Sequence, residues 1–335
     1  MFRKVEISTL VVLFIFTFYC GLVTQGFWDE PFEMRIGKER LKYIFSFGSY
    51  TDYDFYNSKF YPGFYNTLAI FFTKMFPIKY EIEIWRFMHI FFSISTVFGI
   101  YKISNYLFNK NVGKIVFLIC FLNPIFFGHM IMNSKDTIIA FAHVWSTYIF
   151  LRYIQNQGNS KKCNRYIILA GLTIGLGTGV RVPFLITLAP LFFYLLADIF
   201  FFKKITIHKF SFNKFLIHAG IILLIAYLTA ISFWPHVHSN IITEPFKLFL
   251  AQTKSYVFGL QWILFNGSYF DTSQLPESYI LINFFYKSPE FILFAYLIFI
   301  YFLITNKKFF TNKFENFWEK ILLIILFLLF PLIYF

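Results

Sequence analysis

Apolar residues along this chain run in long uninterrupted blocks rather than alternating with polar ones, and the blocks predict membrane-spanning helices. The first, Ile7 to Trp28, carries no charge over 22 residues and follows Arg3 and Lys4. It is too long for a signal peptide and Thr24-Gln25-Gly26 is a poor processing site, so it reads as an uncleaved span with a cytoplasmic N-terminus. Further segments lie at about 85–106, 115–132, 137–153, 166–180, 182–202, 215–234, 291–306 and 321–335. Several hold only about fifteen uncharged residues, short of the roughly 20 that an untilted span needs, so flanking Lys and Arg must snorkel to the surface. The last segment ends inside an apolar run, which reads either as a very short span or as a truncated version of something longer. The expected fold is an all-α integral membrane bundle of about eight or nine transmembrane helices, one polytopic domain over 1–335.

Residues 62–77 are apolar too, but a run of that length fits an interfacial helix as well as a span. Charge separates the two. With 62–77 on the membrane surface, the cytoplasmic loops collect Arg3 and Lys4; Lys102, Lys110 and Lys114; Arg152, Lys161, Lys162 and Arg165; Lys203, Lys204, Lys209 and Lys214; and Lys307, Lys308, Lys313 and Lys320, seventeen of thirty basic residues. Thirteen of the seventeen acidic residues then lie outside. A span at 62–77 would invert every later loop. The expected protein is therefore multi-pass in the cell (inner or plasma) membrane, with two long external segments, 27–84 and about 235–290. Loops of that length in a compact protein are usually functional.

Composition agrees with lipid as the solvent, since 58% of residues are hydrophobic. The 53 Phe and 22 Tyr, with abundant Ile, Asn and Lys, look like an AT-rich genome's codon bias and carry no functional weight. The net charge of +13 is spread between apolar runs rather than gathered in a patch, so it predicts topology and no nucleic-acid partner. Cys20, Cys120 and Cys163 share no metal-like spacing.

Candidate chemistry gathers at the external ends of the spans. Asp29-Glu30 follows the first span directly; the pair either marks the water boundary or supplies a general base, because a partly desolvated carboxylate takes protons more readily. Asn123-Pro124, Gly128-His129 and Asn133-Ser134-Lys135-Asp136 form a turn on the same face, where Lys135 and Asp136 either pair with each other or join Asp29 in one site. Gly171, Gly175, Gly177 and Gly179 lie within a span, where close helix packing accounts for them better than a nucleotide fingerprint does. Arg181, at the external end of that helix, needs an anionic partner, and a lipid phosphate would supply one. Lys287-Ser288-Pro289-Glu290 either simply starts a helix or adds a second phosphate contact. His236 and His238 at i and i+2 point apart and make a poor metal site, and the sequon Asn266-Gly267-Ser268 is too short a match to carry weight.

Taken in order, these residues resemble the GT-C membrane glycosyltransferases that use polyprenyl-phosphate sugars, the broad family of protein O-mannosyltransferases and the lipid A aminoarabinose transferase. The features are Asp29-Glu30 after the first span, Lys59-Phe60-Tyr61-Pro62-Gly63-Phe64-Tyr65 as a degenerate Lys/His-Pro-Pro-Leu-Tyr element, Arg86 leading the second span, and the series through Asp136. The chain departs from the pattern at Gly63 and Ser134, where proline is common, and in lacking a large soluble C-terminal region.

The resemblance implies juxtamembrane helices in the first external loop and an inverting transfer of sugar from a polyprenyl-phosphate donor to a hydroxyl or amine of a protein, lipid or glycan. It implies Asp29 as base, with Glu30 or Asp136 orienting the acceptor. Arg181, Lys135, Lys59 and Lys287 are the expected phosphate contacts, and His129, Asn133 and Tyr61 further pocket residues. No cofactor is required, and a divalent metal is optional and not indicated. Donor, acceptor and membrane lipid are the expected partners. The rival readings are a lipid or small-molecule transporter, which would place paired charges near mid-bilayer, and an inactive truncated homologue.

Overall fold

The computed structural model describes residues 2–203, 210–254 and 262–334; Lys204 and Lys209 of the expected cytoplasmic set lie outside them. The helices in chain order are α1 (Phe2–Val23), α2 (Glu30–Phe45), α3 (Phe64–Thr73), α4 (Glu81–Leu107), α5 (Lys110–Phe121), α6 (Pro124–Met132), α7 (Asp136–Asn156), α8 (Ser160–Val180), α9 (Phe184–Thr187), α10 (Ala189–Ala197), α11 (Phe212–Ile231), α12 (Glu244–Lys254), α13 (Tyr279–Lys287), α14 (Glu290–Thr305), α15 (Lys307–Lys313) and α16 (Phe317–Tyr334). One antiparallel hairpin, β1 (Trp262–Phe265) and β2 (Ser268–Asp271), interrupts an otherwise helical chain. Its turn places Asn266 at φ 48° and Gly267 at φ 80°, the doubly left-handed conformation that Asn-Gly favours between paired strands.

Among the described residues four helices are long and apolar enough to cross a membrane: Ile78–Leu107, Asp136–Asn156, Phe184–Phe202 and Phe212–Ile231. Two bent pairs, α5 with α6 at 65° and α13 with α14 at 107°, bring the number to six if each is one span. The bend in the expected 115–132 segment falls at Asn123-Pro124, where proline breaks the backbone ladder and the Asn123 side chain accepts from Phe126 N at 3.0 Å to start a new helix. The chain is thus an integral membrane protein. At ten residues, α3 is about half the length a span requires.

The core is built on α3, α4, α7, α8, α10 and α11. Glycines on one face of α8 let α11 approach: a Cβ at Gly171 would fall 2.6 Å from Ile225 Cβ, and one at Gly175 2.7 Å from the Ala226 carbonyl oxygen. Close packing therefore accounts for this series, as membrane helices without a hydrophobic drive between them require. On the same helix, a Cβ at Gly179 would fall 2.6 Å from Phe64 Cβ, which seats α3 against α8. The Tyr65 hydroxyl meets His89 Nδ1 at 2.5 Å, tying α3 to α4.

The contact of α2 with α3 is closer still. Gly37 lies against the Asn66 backbone carbonyl with no room for a methyl group. Gly37→Ala is expected to lower stability by about 1–3 kcal/mol, the usual range for overpacking, read as a reduced thermal midpoint in detergent; an unchanged midpoint would contradict the contact.

Candidate functional site

The two carboxylates that follow α1 occupy opposite environments. Glu30 turns inward, where Arg86 of α4 donates to both of its oxygens, Nε to Oε1 at 2.9 Å and Nη2 to Oε2 at 2.8 Å. The remaining Arg86 nitrogen reaches the Gly21 carbonyl at 3.4 Å and the Thr24 carbonyl, so one guanidinium joins the end of α1, the start of α2 and α4. Both side chains are buried, and Glu30 Oε2 also accepts from Phe27 N at 3.3 Å. Asp29, one residue earlier, is 70% exposed, with Lys135 Nζ at 3.8 Å from its Oδ2.

Lys135 sits just before α7 and reaches back to α2. Its ammonium is 2.5 Å from Glu33 Oε1, and Asn66 of α3 donates to the other Glu33 oxygen at 2.5 Å. The Tyr61 ring lies 4.7 Å and the Phe32 ring 5.9 Å from Lys135 Nζ. Burial pushes the Lys135 pKa down, but Glu33, Tyr61 and Asp29 outweigh it and the net shift is upward, so the ammonium stays charged. Burial raises the Tyr61 phenol against the opposing pull of Lys135 and Arg181. Arg181 terminates α8; its Nε is buried without a hydrogen bond, and no carboxylate lies within ion-pair distance among the described residues. Asp29, Tyr61, Glu33 and Asn66 are thus gathered around Lys135, while Arg181 acts on the same Tyr61 from the end of α8.

Gly63 has a physical reason to depart from proline. Its φ is +74°, which proline cannot adopt, and the space of a Cβ is filled by the Arg40 guanidinium. Arg40 is fully buried and donates to the Ser58 carbonyl at 2.9 Å and to the Tyr61 carbonyl, fixing the loop that carries Tyr61.

Asp136 turns away from its neighbour Lys135. Asn133 Nδ2 donates to Asp136 Oδ2 at 2.9 Å and approaches His129 Nδ1 at 3.0 Å, while its Oδ1 accepts from Asp136 N at 2.8 Å. Asn133 is therefore the cap that starts α7. His129 and Asp136 line a cavity of about 840 Å³, otherwise mainly apolar, whose far wall is α13 and α14 and whose other polar groups include Asn283 and Lys287. Lys287 is exposed and joins Asp136 here rather than the Lys135 cluster.

Lys59 is placed near Trp234 and His236 instead. Its carbonyl accepts from Trp234 Nε1 at 2.8 Å and its ammonium lies 5.4 Å over the Phe60 ring. His236 Nε2 stands 3.4 Å from Asp54, and burial, Arg40 and Lys59 push its pKa down to about 4 against the pull of Asp54, leaving it neutral near pH 7. His238 meets the Tyr43 hydroxyl at 3.1 Å and the Ile231 carbonyl at 2.9 Å. The histidines part as their spacing predicts, and each ties the segment after α11 to the one between α1 and α4. Among the described residues no three His, Cys, Asp or Glu side chains are grouped to hold a metal.

Glu33 and Arg86 are structural centres that the sequence reading leaves out of its candidate site. A signal for Glu33 was present: it stands four residues after Asp29 on a helix, hence on the same face.

A family model described as dolichyl-phosphate-mannose-protein mannosyltransferase matches residues 62–234, more than half of the chain. Nothing among curated proteins or solved structures matches it. The matched stretch includes Arg86, His129, Asn133, Lys135, Asp136 and Arg181, whereas Asp29, Glu30, Glu33, Lys59, Tyr61 and Lys287 fall outside it.

Proposed function

Because the chain belongs to the dolichyl-phosphate-mannose-protein mannosyltransferase family, and is on that ground a membrane glycosyltransferase of the polyprenyl-phosphate-sugar class, we propose that it transfers one sugar, with inversion, to a hydroxyl or amine on the non-cytoplasmic face. Asp29 takes the acceptor proton as the acceptor atom bonds to the anomeric carbon. The bond from that carbon to the phosphate oxygen breaks on the opposite side, and its electron pair leaves with the polyprenyl phosphate. Lys135 and Arg181 stabilise the charge on the departing phosphate through preorganised charge-assisted contacts.

The carrying observation is an exposed carboxylate, Asp29, 3.8 Å from the partly buried Lys135 ammonium, together with Arg181 at the end of α8, whose buried Nε has no hydrogen-bond partner among the described residues. The 840 Å³ cavity beside Asp136 suits the first isoprenes of the carrier, and Lys287 is among the residues that line it. Glu30, with both oxygens engaged by Arg86, is assigned to fixing the corner where α1, α2 and α4 meet rather than to touching the acceptor. Adding α1, α8 and α16 to the four helices and two bent pairs gives nine spans, within the eight or nine expected from the apolar blocks, and in this reading the N-terminus is cytoplasmic and the loops bearing Asp29, Lys135 and Arg181 lie outside.

Purified protein supplied with a labelled polyprenyl-phosphate mannose and a panel of peptide and glycolipid acceptors should release polyprenyl phosphate. No release with any acceptor, from folded protein that binds the donor, would overturn the reading. Arg181→Ala is expected to raise the donor KM about 10- to 100-fold, the worth of one charged hydrogen bond, with a smaller change in kcat; a donor titration reads both.

A further inference from the structure

We propose that Glu33 is a positioning residue that holds the Lys135 ammonium off the base, keeping Asp29 free to accept a proton. This rests on the reading of Asp29 as the base.

Lys135 lies between two carboxylates one helical turn apart at the start of α2. It is in close contact with the buried one, Glu33 at 2.5 Å, and at long range from the exposed one, Asp29 at 3.8 Å. The buried carboxylate is itself anchored, since Asn66 donates to its second oxygen at 2.5 Å and Gly37 lets α3, which carries Asn66, come that near. The Tyr61 and Phe32 rings flank the ammonium, 4.7 and 5.9 Å from it, and narrow its freedom. The charged and titratable groups facing it are Asp29 just before α2, Glu33 on α2 and Tyr61 from the loop before α3, with Arg181 at the end of α8 acting on Tyr61; Asp136 is turned to Asn133.

This geometry resolves a conflict within the site. A phosphate leaving group needs a cation nearby, yet a cation in direct contact with a general base stabilises its ionised form and occupies the lone pair that must take the proton. Glu33 separates the two demands: it supplies the counter-charge from the protein side, so that Lys135 faces the phosphate without resting on Asp29. Neutralise Glu33 and the nearest remaining anion for Lys135 is Asp29. The ammonium then moves onto the base while the net positive charge offered to phosphate rises.

The effect on the reaction is specific. In Glu33→Gln, kcat should fall about tenfold or more, the scale of one displaced acid–base interaction, while the donor KM stays level or drops. The acid limb of the kcat/KM profile should move to lower pH, because an ammonium at contact favours the ionised base. A merely structural role would move the other way, raising the donor KM and leaving the limb in place. Should Glu33→Gln fail to fold, Glu33→Asp keeps the charge and withdraws it by one methylene, and the limb should shift in the same direction by less.

The measurement is the pH profile and donor titration of the purified full chain with a labelled polyprenyl-phosphate mannose. An unmoved acid limb, or a rise in donor KM, overturns the role of Glu33. Full turnover by an Asp29→Asn protein would remove the base assignment and this inference with it. An inactive Asp29→Asn protein beside a Glu33→Gln protein with the native limb removes only the inference.

Discussion

Asp29→Asn is expected to lower turnover by about 10²–10⁴-fold, the range that a positioned general base contributes, while leaving donor binding close to that of the native protein. The amide keeps the shape and the hydrogen-bonding reach of the carboxylate but cannot take a proton at neutral pH. Asp29 has its side chain mostly in solvent and its nearest ionic contact at 3.8 Å, so its replacement leaves no buried charge stranded and the fold should be unaffected. The neighbouring cations Lys135 and Arg181 remain to hold phosphate. Donor affinity, measured by displacement of a fluorescent polyprenyl phosphate, should therefore change less than about threefold, below the worth of one charged contact. Native turnover in the amide variant would remove Asp29 from the mechanism, and lost donor binding would make it a support for the Lys135 cation rather than the base.

The placement of these groups was legible in the sequence only where local rules apply. Asp29 and Arg181 could be found because each follows an apolar block and so must lie at a membrane surface. The close packing of Gly171 and Gly175 could be read from small residues at helical spacing within a span. What the sequence hid was pairing between distant segments. Lys135 could have paired with Asp136, beside it in the chain, but the Asn133 cap engages Asp136 and the free ammonium finds Glu33 about a hundred residues earlier. Nothing in the spacing of 33 and 135 announces that contact.

Bends were hidden for a different reason. Apolar residues continue through Asn123-Pro124, so hydropathy alone reads one segment where the backbone turns by 65°; at the 107° bend Lys287-Ser288-Pro289-Glu290 does mark a helix start, but the helix before it, α13, reads as part of a long loop. The hairpin is the reverse case. Asn266-Gly267 is a strong turn signal between apolar runs, although the same residues also read as part of a sequon. Its left-handed pair of residues and the packing of Phe265 against Tyr279, ring centroids 5.1 Å apart, make it a structural corner leading into α13.

Breaking the Glu30–Arg86 pair should be more damaging to stability than any of the other substitutions considered. Both side chains are under a tenth exposed, and the guanidinium is bound on both carboxylate oxygens and on two backbone carbonyls at the end of α1. Glu30→Gln keeps the volume but leaves Arg86 with an uncompensated charge, and removing one partner of a buried pair typically costs about 3–5 kcal/mol. Arg86→Met strands the carboxylate instead and should cost a similar amount. The double variant leaves no unpaired charge, so it should recover much of the loss rather than sum the two, because buried ion pairs give little net stability over apolar or neutral groups of like shape. Thermal midpoints of the four proteins in one detergent measure this directly. Additive losses would mean that the two residues do not stabilise each other. Coupled losses together with reduced turnover in the recovered double variant would show that the pair also keeps Asp29 aimed at the site, since Glu30 sets the first turn of the helix that carries it.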